Sequence, residues 1–150
     1  MRAAIELAIE NVRSGRGGPF GAVIVRDGQV IASGANCVTS SNDATAHAEV
    51  VAIRNACKAL QNFQLSDCDL YTSCEPCPMC MGAIYWARPR NVYFGCTASD
   101  AAKIGFDDSF IYDELRRDPG ERRISMTQTM REEALAAFRE WEQKSDRIPY

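Results

Sequence analysis

Asp69-Leu70-Tyr71-Thr72-Ser73-Cys74-Glu75-Pro76-Cys77-Pro78-Met79-Cys80 changes backbone type partway along. Asp69 to Ser73 reads as a β-strand. Pro76 and Pro78 suit the start of a helix running to about Ala87, because the first helical amides have no intrahelical acceptor and a missing N–H costs nothing there. Pro89 closes that helix. Working outward, Asn91 to Thr97 is another strand, so strand, helix and strand follow one another as in a layered α/β protein.

Upstream, Pro19 to Arg26 and Gln29 to Ser33 are two β-rich runs joined by Asp27-Gly28, a strong short-range hairpin signal. Before them, Ile5, Ala8, Ile9 and Val12 recur at helical spacing over residues 1–14 and predict an amphipathic helix that packs on the rest. A polar loop from Thr39 to Asp43 leads into a predicted helix from about Thr45 to Leu60, with Val50, Ile53, Cys57 and Leu60 as its apolar stripe. After residue 97 come a short helical stretch to Lys103, a helix to about Arg117 and a turn at Asp118-Pro119-Gly120. A weaker fifth strand is expected over Arg122 to Thr129, and a last amphipathic helix carries Ala134, Leu135, Phe138 and Trp141. Strands alternating with helices after an opening hairpin imply a mixed sheet covered on both faces.

The 150 residues, 46% hydrophobic and without linker, repeat or low-complexity run, fit one domain spanning 1–150. Arg2, Glu6, Glu10 and Arg13 break the first apolar run, so it reads neither as a signal peptide nor as a membrane span, and a cytoplasmic location is expected. Seven cysteines, an odd number, favour a reducing compartment with free or metal-bound thiols. A net charge of -3 and a pI near 5.2 leave no basic face to neutralise a run of phosphates, which argues against a nucleic-acid substrate.

Cys77 and Cys80 are three apart and share a helix face, near a helix N-terminus whose field favours their thiolates. Thr45-Ala46-His47-Ala48-Glu49 supplies the chain's single histidine as a third metal ligand. Three protein ligands leave the fourth tetrahedral position of a zinc ion to a water whose pKa falls to about 7. Glu49, two residues from His47, can work beside that water only if the site lies over the N-terminal end of its helix. A closed structural site of Cys74, Cys77, Cys80 and His47 is the competing reading; Cys74 follows the strand and stands before Pro76, and such a site has no use for Glu49.

His47-Ala48-Glu49 with Pro76-Cys77-Pro78-Met79-Cys80 resembles the signature of zinc-dependent nucleobase and nucleoside deaminases. Gly18-Pro19-Phe20-Gly21-Ala22, Ala83-Ile84-Tyr85-Trp86-Ala87 and Gly105-Phe106-Asp107-Asp108-Ser109-Phe110 extend the likeness to bacterial guanine deaminases of the cytidine-deaminase fold. The resemblance implies an α/β/α sandwich on a five-stranded mixed sheet, one zinc ion per subunit, and a homodimer with an exchanged C-terminal segment. It implies hydrolysis of guanine to xanthine and ammonia by zinc-activated water, with Glu49 as proton shuttle. On the same pattern Asn36 would hydrogen-bond the base, Phe20 and Trp86 would line its pocket, Asp108 would be a second polar contact or proton carrier, and Tyr150 would form part of a lid.

Two rival readings belong to different classes. Transfer-RNA adenosine deaminases share the metal signature, but the acidic balance and Asp107-Asp108 argue against an RNA substrate. Guanosine and cytosine stay open as small-molecule substrates, because pocket shape decides ring size and ribose tolerance. A zinc-stabilised interaction module without catalysis would have no need of Glu49.

Overall fold

The hairpin at Asp27-Gly28 forms: β1 (Gly21–Arg26) and β2 (Gln29–Ala35) pair antiparallel, with Asp27 and Gly28 both at positive φ in the turn. The computed structural model describes residues 1–150, which fall into two compact units, 1–108 and 109–150. The first unit contains α1 (Arg2–Arg13), the hairpin, α2 (Val38–Ser41), α3 (Ala48–Leu60), β3 (Asp69–Cys74), α4 (Pro78–Ala87), β4 (Asn91–Cys96) and α5 (Ala98–Lys103). The second contains α6 (Ser109–Arg116), a 3-10 turn at Pro119–Glu121 and α7 (Arg131–Gln143).

The sheet order is β2-β1-β3-β4; β1 runs antiparallel to β2 and β3, and β3 runs parallel to β4. This is a mixed sheet of four strands. The fifth strand expected at 122–129 does not form. Those residues are irregular and almost wholly exposed, and local partners take up their polar groups: the Glu114 carboxylate accepts the Arg123 amide at 2.7 Å, and the Arg117 carbonyl accepts the Arg122 guanidinium at 3.2 Å. With no strand elsewhere in the second unit, the ladder that would have selected extended backbone is missing. The segment read as a polar loop at 39–43 instead holds the short α2, whose chain ends at Asn42 in the left-handed conformation.

Helices cover both faces of the sheet. Gly21 lies against α1, where an added Cβ would stand 2.4 Å from the Ala4 carbonyl oxygen. Gly34 lies against α3 on the opposite face, where a Cβ would stand 2.3 Å from the Ala48 oxygen and 2.5 Å from the Ala52 nitrogen. On that face the core consists of Ala22, Ile24 and Leu70 from the sheet, Ala48, Ala52, Ile53 and Ala56 from α3, and Ile84 and Ala87 from α4. Each large aliphatic side chain buried there contributes about 1.5–3 kcal/mol.

The predicted stripe on α3 forms, with Cys57 and Leu60 partly buried against the core. Val50 and Ile53 are buried, but the residues closest to the sheet are the alanines, because a small side chain on each element lets helix and strand approach to backbone contact. Gly34→Ala should push α3 away from β2 and destabilise the protein by about 1–3 kcal/mol. A shift of the urea midpoint to lower concentration at unchanged slope measures this.

Candidate active site

The site forms where α3 and α4 begin. His47 and Cys77 are the residues just before these helices, with φ/ψ of -70/155° and -66/169°, and neither side chain caps its own helix. Extended backbone at these positions turns both side chains outward from the helix axes, and Cys80 follows one turn into α4. Helix α3 starts at Ala48, not at Thr45, since Asp43 takes the Thr45 amide at 2.8 Å and holds residues 43–45 in a turn. Because His47 precedes the regular helix, it and Glu49 can address one point although they are two residues apart.

His47 Nδ1 lies 3.5 Å from the Sγ of Cys77 and 3.5 Å from the Sγ of Cys80, and the three donor atoms lie within 4.8 Å of one another. Zinc bonds of about 2.0–2.1 Å to nitrogen and 2.3 Å to sulfur at tetrahedral angles would separate N from S by about 3.6 Å. The donor set and its spacing therefore fit a zinc ion. Cys74 is outside this group; its thiol is directed to the Thr97 carbonyl at 3.6 Å, at the end of β4.

Electrostatics follow the same grouping. A thiol hydrogen bond from Cys80, with a further bond to the His47 ring, brings Cys77 down to about 4, while Cys80 is pushed up as the proton-bearing partner. The bond to Cys77 raises the His47 ring above its ordinary value. Burial pushes the Glu49 carboxyl up, and hydrogen bonds from its own backbone amide, then from Thr72 and Cys80, partly oppose this. Asp108 is also raised, by burial first and by the Cys77 charge second.

The remaining candidates are distributed around this centre. Glu49 is inside it: Oε2 lies 3.5 Å from Cys80 Sγ, and Oε1 accepts the Thr72 hydroxyl at 3.1 Å. Asn36 is buried at the end of β2; its amide donates to the Phe20 carbonyl at 3.0 Å and its Oδ1 accepts the Val38 amide at 3.3 Å. Phe20 is half-buried and meets Phe106 edge to face at 4.9 Å. Trp86 is on α4 and exposed, and Tyr150, the last residue of the second unit, is exposed as well.

Two residues escaped the sequence reading. Asn11, only 2% exposed on α1, donates from Nδ2 to the Gly18 carbonyl at 2.9 Å and to the Asn36 carbonyl at 2.7 Å. The other is Thr72, the hydroxyl beside Glu49. Its one visible signal was a polar residue at an inward position of an otherwise apolar strand face.

A helix pair presenting His, Glu, Cys and Cys at a sheet end defines a zinc deaminase, and comparison with known proteins places the chain accordingly. Residues 1–96 match the family model described as the cytidine and deoxycytidylate deaminase zinc-binding region, and the chain belongs to this family. It is 56% identical to guanine deaminase of Bacillus subtilis (strain 168), over 100% of this chain and 96% of that protein. The crystal structure of guanine deaminase from Bacillus subtilis superposes with a TM-score of 0.97, covering 99% of this chain and 95% of that one. Guanine deaminase from Nitrosomonas europaea is 32% identical, with a TM-score of 0.68, over 93% of this chain and 80% of that one. A tRNA-specific adenosine deaminase of Haemophilus influenzae is 41% identical over 72% of this chain and 65% of its own length.

Cys77→Ser and Cys80→Ser should each purify with well under one zinc ion per chain, whereas Cys74→Ser should keep a full complement, because only the first two remove a ligand. Elemental analysis of the purified variants reads this directly.

Proposed function

We propose that this chain hydrolyses guanine to xanthine and ammonia. The observation that carries the reading is the extent of the likeness to Bacillus subtilis guanine deaminase, which runs through the whole chain. The family model stops at residue 96, and the Haemophilus tRNA deaminase match covers 72% of the chain. Identity beyond the metal centre is what distinguishes substrates within a family whose metal chemistry is shared.

A zinc ion held by His47, Cys77 and Cys80 would supply the acidification of one water molecule to near neutrality. Glu49 takes the proton from that water as it attacks the amino-bearing ring carbon. Glu49 passes this proton to the adjacent ring nitrogen, then carries the second one from the new hydroxyl group on the ring carbon to the amine, so that the C–N bond breaks, ammonia leaves and the ring keeps the oxygen as a carbonyl. Burial raises the affinity of Glu49 for a proton, which suits a group that must both accept and donate near neutral pH. Asp108, raised in the same sense, serves as a second polar contact or proton carrier. Asn36 hydrogen-bonds the base, and Phe20 and Trp86 line the pocket beside it. Tyr150 forms part of a lid.

We read residues 1–150 as one catalytic domain that works as a cytoplasmic homodimer on a small-molecule purine. No helix is long and apolar enough to cross a membrane. In the first unit Ile5, Ile9 and Val12 on α1 are exposed, and in the second Phe138 and Trp141 on α7 are exposed. Exposed apolar faces on both units support burial against a second copy, with the C-terminal segment exchanged between subunits.

Ammonia release should be detected with guanine and be far slower with guanosine, cytosine, adenine and a transfer-RNA anticodon stem; activity on the RNA alone would overturn the reading. Glu49→Gln should lower kcat by roughly 100- to 10,000-fold while zinc content stays at the wild-type level. An interaction module would be indifferent to that substitution.

A further inference from the structure

Glu49 is held by a group that the chemistry above does not use. Thr72 lies on β3, opposite Ala22 of β1 and Phe94 of β4, so its strand is paired on both sides. Its side chain shares a sheet face with Leu70, and the strand face it joins, with Ala22 and Ile24, is apolar core. Thr72 is 1% exposed and Glu49 is 5% exposed. A hydroxyl buried there needs a hydrogen-bond partner. It donates to Glu49 Oε1 at 3.1 Å, while Glu49 Oε2 is the oxygen beside Cys80 Sγ at 3.5 Å. The two oxygens of one carboxylate thus have different neighbours.

The two side chains differ in freedom. Glu49 reaches the site from the first turn of α3 through a long, flexible stem. Thr72 is β-branched, with few rotamers, on a doubly paired strand, so the position of its hydroxyl is set by the sheet. We propose that Thr72 is a positioning residue for the hydrolysis: its hydroxyl holds Oε1 of Glu49, leaving Oε2 as the single oxygen presented to the His47, Cys77 and Cys80 cluster. The inference rests on the deaminase reading and assigns one atom within it. A proton leaves the attacking water for Oε2 and passes from Oε2 to the ring nitrogen. Thr72 keeps its own proton throughout, because it donates that proton to Oε1.

Thr72→Val removes the hydroxyl at nearly constant shape, and Thr72→Ala removes it without added apolar bulk should the valine variant fold poorly. Thr72→Ser restores it. In the zinc-loaded enzyme with guanine, the two hydroxyl-free variants should lose roughly 10- to 100-fold in kcat at full zinc content. Their KM should stay within about twofold of wild type, as expected for an interaction that matters in the transition state. Thr72→Ser should recover most of the loss. In crystal structures of the zinc-loaded variants, the Glu49 carboxylate should turn away from Cys80 Sγ without the hydroxyl and stay in place with serine. Wild-type kcat in both hydroxyl-free variants, a serine variant as slow as the valine one, or an unmoved carboxylate without the hydroxyl would each overturn the proposal. If the wild-type enzyme releases no ammonia from any base, the deaminase reading fails, while the crystal structures still decide whether Thr72 holds Glu49.

Discussion

Everything near the site depends on two helices starting within reach of each other. His47 and Cys77 each occupy the last extended position before a helix, and their side chains meet at 3.5 Å. Such a position ordinarily favours a side chain that caps its own helix. Here both side chains serve a shared point, and the unpaired amides of two first turns surround it with partial positive charge. That field acts in the same direction as the hydrogen bonds that lower Cys77. The ligands are thereby fixed by backbone, and a zinc ion binds donors that need little rearrangement.

The meeting of the helices is set by small residues at a distance from the chemistry. Gly34 on β2 and Ala48, Ala52 and Ala56 on α3 bring backbone against backbone. Ala48, which lies between His47 and Glu49 in the chain, is itself buried in this seam against Gly34. A bulkier side chain anywhere in this seam would lift the start of α3, and His47 and Glu49 would move with it. Packing at native density transmits such a displacement instead of absorbing it.

Glu49 shows how burial and function are combined. Desolvation makes its charged form costly, and hydrogen bonds from the Thr72 hydroxyl and the Cys80 thiol moderate the cost without removing it. The result is a buried carboxyl group whose affinity for a proton is raised and whose neighbours are side chains. Asn11 ties α1 to the Gly18 carbonyl in the loop before β1 and to the Asn36 carbonyl at the end of β2.

The sequence by itself determined the metal ligands, the Glu49 carboxylate, the hairpin and the alternation of strand and helix through residue 103. Each of these is encoded locally: by proline at a helix start, Asp-Gly in a turn, or ligand spacing along one helix face. It gave no warning that 122–129 would stay irregular, because a strand exists only where a neighbour offers its ladder, and composition is silent about neighbours. It also hid the alanine seam of α3, since alanine looks indifferent until a glycine faces it. The roles of Thr72 and Asn11 were hidden for the same reason. A buried hydroxyl or amide acquires its role from a partner 23 or 25 residues away in the chain, and only tertiary structure brings the two together.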